Sequence, residues 1–143
     1  MYQSIALTDD SSHLSLDGTA NAPQYLVPPC TERSDGMGPV ADLGLDHAGL
    51  LVITLGINHV LEHEGIAVSV WGSADGSDWG TKPLVSLPQK CYCGIYSTFL
   101  DLSKHPQVRY LRVRWNMVRW GKWEHVPLFG FYVSAQESGD GRH

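Results

Sequence analysis

The chain has 143 residues, a formal net charge of −5, 43% hydrophobic residues and 17% charged ones. That balance excludes an extended disordered chain, and no stretch approaches the roughly 20 consecutive apolar residues of a membrane-spanning helix. The length fits one domain with its own core, and the overall acidity argues against a nucleic-acid partner.

The N-terminus, MYQSIALTDDSSHLSLDG, has no basic region ahead of an apolar one, so it does not read as a secretory signal. The expected location is the cytoplasm or a particle assembled inside a cell. A secreted chain already trimmed of its leader would look the same. Turn formers crowd the first forty residues, with Asp-Gly, Pro-Pro and Gly-Pro breakers. Only short strands fit between them, at Ser4–Leu7 and Tyr25–Val27. This turn-rich segment, residues 1–39, is expected to belong to the same domain as a core at residues 40–136. A polar tail at residues 137–143 is expected to be flexible.

The rest of the chain reads as strands. Leu50–Asn58 is short and rich in β-branched and aliphatic residues. Gly65–Ser73 alternates, with Ile66, Val68 and Val70 on one face and Ala67, Ser69 and Trp71 on the other. The loop WGSADGSDWG follows, and Leu84–Leu87 resumes the strand pattern. In Cys93–Ser103, Ile95 and Phe99 share one parity and Tyr96, Leu100 and Leu102 the other. Val108–Trp120 puts Leu111, Val113, Trp115 and Met117 on one face, opposite Tyr110, Arg112, Arg114 and Asn116. Pro127–Ala135 turns Phe129, Phe131 and Val133 inward, and a hairpin across GKWEHV is expected to join it to the preceding strand. No helical stripe is sustained over three turns. Short alternating strands with Gly, Pro and Asp turns predict an all-β sandwich or barrel.

Charge is unevenly spread. Residues 1–103 hold three cations against twelve carboxylates, a net −9, and residues 104–143 hold seven against three, a net +4. The simplest expectation is that the two halves meet within the fold, with the arginines of the last long strand pairing with acidic residues. Three cysteines, Cys30, Cys91 and Cys93, cannot make a complete set of disulfides. Buried free thiols are expected.

Four segments in order resemble discoidin-type domains, also called coagulation factor 5/8 type C domains. These are VSVWGSADGSDWG with its Ser-x-Asp-Gly-x-x-Trp turn, VADLGL, FLDLS and VRYLRVRW. The resemblance runs over about residues 40–135. It implies a jelly-roll β-sandwich of the galactose-binding-like group and a structural calcium ion near the early loops, to which Asp42 or Asp46 would contribute. The cysteine pair that usually brackets such domains is absent, and no apolar spikes for a lipid surface can be located.

In the opening loop, Asp75-Gly76 makes a turn, Ser73 braces it through local amides and Trp79 folds over it. This reads as structure. His59, Glu62, His63 and Glu64 crowd one inter-strand loop without the spacing of a metalloprotease helix. They read as a polar loop that can contact a ligand. Trp120, Lys122 and Trp123 follow the longest strand, and exposed indoles beside cations suit sugar stacking or a protein contact. No nucleophile elbow, phosphate loop or dinucleotide fingerprint occurs. The sequence therefore predicts a non-catalytic module that binds a carbohydrate or a protein through loops at one end of the sandwich. Its expected contacts are Trp120, Lys122 and Trp123, then His59, His63 and Trp79. The alternative is a structural subunit, such as a decoration protein of a phage-like or other large particle, able to self-associate.

Overall fold

A computed structural model of the chain describes residues 23–43, 49–120 and 127–138. Among these residues the strands, in chain order, are β1 (Gln24–Glu32), β2 (Gly36–Met37), β3 (Ala41–Asp42), β4 (Leu50–Val60), β5 (Glu64–Ser73), β6 (Val85–Lys90), β7 (Gly94–Asp101), β8 (Tyr110–Arg119) and β9 (Phe129–Glu137). The expected strand at Ser4–Leu7 lies outside the described residues.

The strands form two antiparallel sheets. One has the order β1-β9-β4-β7. The other has the order β2-β8-β5-β6, with β3 also on β8. Taking β2 and β3 as one interrupted strand leaves eight, ordered first-eighth-third-sixth and second-seventh-fourth-fifth. That is the double Greek key of a jelly roll. The protein is a β-sandwich.

Period-2 alternation places the core between the sheets. Leu51, Ile53, Leu55 and Ile57 of β4 and Phe129, Phe131, Val133 and Ala135 of β9 face inward. They meet Ile66, Val68 and Val70 of β5 and Leu111, Val113 and Trp115 of β8. The Trp115 ring meets Phe131 edge-on at 5.2 Å across the interior. Its indole N–H donates to the Ser34 carbonyl at 3.0 Å, so the one polar atom of this core indole is satisfied. Every inward parity expected from the sequence for these strands is observed.

Two features of sequence explain the edges. Pro28 and Pro29 fall where the β1–β9 register shifts between Val27 and Cys30, and β1 is an edge strand. Proline has no N–H for a ladder and is tolerated there. Asp101 ends β7 by accepting from the Ser103 N–H at 3.0 Å and starting a 3-10 turn at Leu102–Lys104. Leu102 is buried from that turn, so the expected strand to Ser103 stops two residues early.

Three expectations are corrected. β8 and β9 do not form a hairpin: they lie in different sheets. Between β1 and β4 both edges of β9 are paired, and its inward face of Phe129, Phe131 and Val133 packs on the sheet that holds β8, with Phe131 against Trp115. Cys91 and Cys93 are not buried in a strand. They belong to the turn between β6 and β7, with Cys91 half-buried and Cys93 exposed, and Cys30 is half-buried. All three thiols are free. Of the arginines in Val108–Trp120, Arg109 meets Asp42, whereas Arg112 and Arg114 meet no carboxylate among the described residues.

Candidate functional site

The turns at the β4–β5, β6–β7 and post-β8 positions meet at one end of the sandwich. The β4–β5 turn is tight because His63 adopts φ +63, a left-handed conformation uncommon for a residue with a Cβ. That conformation lets the His63 carbonyl accept from the Trp120 N–H at 3.1 Å. The His63 and Trp120 rings then stand edge-to-face at 6.1 Å. Next to them Glu64 is 1% exposed. Its carboxylate accepts from the Leu61 N–H at 2.9 Å and from the Leu128 N–H at 3.3 Å. Glu64 thus bolts the turn to the approach to β9. On the other side Tyr96 donates its hydroxyl to the Tyr92 carbonyl at 2.8 Å and fixes the β6–β7 turn.

These turns enclose an open hollow of about 460 Å³, lined by Val60, Leu61, Glu62, His63, Glu64, Cys91, Tyr92 and Trp120. Tyr92 is 77% exposed and Trp120 43%. The hollow therefore presents two aromatic rings, an imidazole and one solvent-facing carboxylate, Glu62. The second carboxylate, Glu64, is committed to backbone amides.

The sequence-predicted residues divide as follows. His63 and Trp120 come together here. His59 is exposed on the last part of β4 and does not line the hollow. Trp79 lies in the β5–β6 loop, beyond the opposite end of β5, so it cannot share a site with Trp120. The Arg112 guanidinium stands 5.5 Å over the Trp79 ring. Lys122, Trp123 and Asp46 lie outside the described residues.

The turn after β5 is held by its own side chains. Ser73 Oγ accepts from the Gly76 N–H at 2.8 Å and the Asp75 N–H at 3.2 Å, and donates to Asp75 Oδ1 at 3.0 Å. Asp75 Oδ1 accepts in turn from the N–H groups of Ser77 and Asp78. The Asp78 and Ser77 amides, then the Ser73 hydroxyl, hold the Asp75 carboxyl below its ordinary 3.8. Gly76 has φ +85, where a Cβ would be strained. Ser73 Oγ and Asp75 Oδ1 are thus engaged with the loop's own backbone. Among the described residues no three His, Cys, Asp or Glu side chains gather as a metal site. Asp42 accepts from Arg109 through two bonds of 3.0 and 3.2 Å, and this partner raises the Arg109 pKa.

A second arrangement went unnoticed in the sequence. On the outer face of the β2-β8-β5-β6 sheet, Arg114 of β8 stacks 4.2 Å over Trp71 of β5. With the Arg112–Trp79 pair this makes two cation–indole stacks on one face. The signal was present as parity: Trp71 shares the solvent face of β5, and Arg112 and Arg114 share the solvent face of β8. Only the pairing of Trp71 with Arg112 and of Ser69 with Arg114 in the β5–β8 register brings them together. Tyr92 was also missed, because one aromatic between two turn cysteines carries no periodic signal.

A jelly-roll sandwich with aromatic and cationic groups displayed outside its core defines the class. No family model matches the chain, and no curated protein matches it. Among solved structures it is similar to the K1 cleaved adhesin domain of Lys-gingipain from Porphyromonas gingivalis W83. The identity is 14% and the TM-score 0.39, over 72% of this chain and 62% of that one.

Proposed function

We propose that the protein is a non-catalytic binding module that takes a carbohydrate in the hollow at Trp120. The observation that carries this is the pair of exposed rings, Tyr92 and Trp120, on one concavity with His63 and Glu62 at its rim. Rings offer a face to the C–H side of a sugar, and the imidazole and carboxylate can take its hydroxyls. Lys122 and Trp123 remain candidates from sequence, adjacent in the chain to Trp120. The missing catalytic motifs and the commitment of Glu64 to backbone amides speak against glycoside hydrolysis, which needs two available carboxyl groups.

Titration with a panel of neutral mono- and oligosaccharides, read by tryptophan fluorescence, tests this. At least one is expected to bind saturably, and Trp120→Ala or Tyr92→Ala to weaken it by about tenfold or more. No saturable binding, or binding indifferent to both changes, would sink the reading.

One observation favours a second reading, assembly with copies of itself or another protein. Ile95 and Phe99 on β7 are 72% and 64% exposed, and β7 is an edge strand. Among the described residues its outer backbone groups have no ladder partner on that side, which invites strand addition.

A further inference from the structure

The three arginines at positions 109, 112 and 114 have different fates. Arg109 holds Asp42. Arg112 donates from Nε to the Gly38 carbonyl at 3.1 Å. The Arg114 guanidinium makes no hydrogen bond among the described residues, and its Nε–H is buried without an acceptor. Its only contact of this kind is the stack on Trp71. A guanidinium is a planar fork of donors matched to a carboxylate, and with Nε enclosed it is the outer nitrogens of this half-buried side chain, which have no partner among the described residues, that face a ligand.

Arg114 lines a hollow of about 450 Å³ on the sheet face, together with Asp35, Met37, Ser69, Trp71 and Asn116. That volume lies within the about 300–1,000 Å³ usual for small-molecule sites. The neighbours define the ligand. Asp35 accepts from the Met117 N–H at 2.7 Å and the Asn116 side-chain amide at 3.3 Å, which leaves lone pairs on both oxygens. Ser69 Oγ accepts from the Trp71 indole N–H at 2.9 Å, so its own proton is free to donate. Met37 is 52% exposed and supplies an apolar contact. A carboxylate beside the cation disfavours a doubly charged anion. It favours a singly charged one that also carries hydroxyl donors.

We propose that this hollow is a site for the uronate unit of an acidic saccharide. Arg114 holds the sugar carboxylate, and Asp35, Ser69 and Asn116 take ring hydroxyls. The site is separate from the hollow at Trp120, so its test does not depend on the reading given above.

The probes are sodium glucuronate, glucose, sodium acetate and sodium sulfate, followed by nitrogen–proton correlation spectra of the full chain. Glucuronate is expected to move the Trp71 indole N–H and the Arg114 Nε–H saturably and to leave the Trp120 indole in place. Glucose, acetate and sulfate are each expected to bind at least about tenfold more weakly, since each lacks half of the recognised chemistry. Arg114→Gln should weaken glucuronate by about tenfold or more. Should that variant not fold, Arg114→Lys, which keeps the charge but not the fork, should weaken it by about threefold or more. The proposal is overturned if acetate or sulfate matches glucuronate, if only the Trp120 resonance moves, or if the folded Arg114 variant binds as the parent does.

Discussion

Glu64 illustrates how a single residue can look functional and be structural. It sits in a run of His and Glu that invites a chemical reading, yet its carboxylate is enclosed and serves the amides of Leu61 and Leu128. Removing it would leave two sheltered N–H groups without partners, so Glu64→Ala is expected to cost about 3 kcal/mol. Glu64→Gln retains an acceptor and should cost about 1 kcal/mol. Urea denaturation distinguishes them, and equal losses would refute the bolt. The cysteines give a second expectation at this scale. Burial, then the charge and hydrogen bond of Glu32, push the Cys30 thiol up from 9.0 to about 11. Below pH 9 the thiol is protonated whether the chain is folded or not, and the stability it contributes is fully present. Between pH 9 and about 11 the unfolded chain loses that proton and the folded one keeps it, so stability falls as pH rises. The parent should therefore lose more stability over that interval than Cys30→Ala does. At pH 8 iodoacetamide should reach exposed Cys93 well before Cys30, a ranking that mass spectrometry of the digested protein reads directly.

Among the elements, β7 is unlike its neighbours. Its inner parity is core-like, with Leu100 buried and Tyr96 packed on the core, but its outer parity shows Ile95 and Phe99 to water on the rim of a sheet. Natural sheets usually blunt such a rim with charge, proline or a bulge, and none of these interrupts Ile95–Phe99. If this strand joins copies of the chain, replacing both Ile95 and Phe99 by Lys should abolish any dimer seen by sedimentation. The same change should alter monomer stability by no more than about 0.5 kcal/mol, as is usual for exposed positions. A monomeric parent at high micromolar concentration would remove the case for assembly through β7. The same strand shows how parity is read correctly while its meaning is missed. The alternation of Ile95 and Phe99 against Leu100 was plain, but which side faced the core depended on the partner strand.

For the whole molecule, sequence carried the strands and their inward faces because burial imposes a period of two that each segment displays by itself. It did not carry which strands pair. The expected β8–β9 hairpin failed because closeness along the chain was taken for closeness in the sheet, while the double Greek key separates those strands into different layers. The candidate site divided on the same line. His63 and Trp120 could be suspected singly, since each lies in a turn. Their meeting with Tyr92, and that of Trp71 with Arg114, depends on strand register, which no local pattern encodes. The placing of β9 has one more consequence. This strand is the last of the described elements, yet it lies inside its sheet, flanked by β1 and β4. During synthesis the ribosome delivers the other described strands before it. Until Phe129–Glu137 emerges, the inner sides of β1 and β4 have nothing between them. A nascent chain that has not yet delivered β9 is an open half-structure in need of shelter, and the two sheets close into a sandwich only when this strand is inserted between β1 and β4.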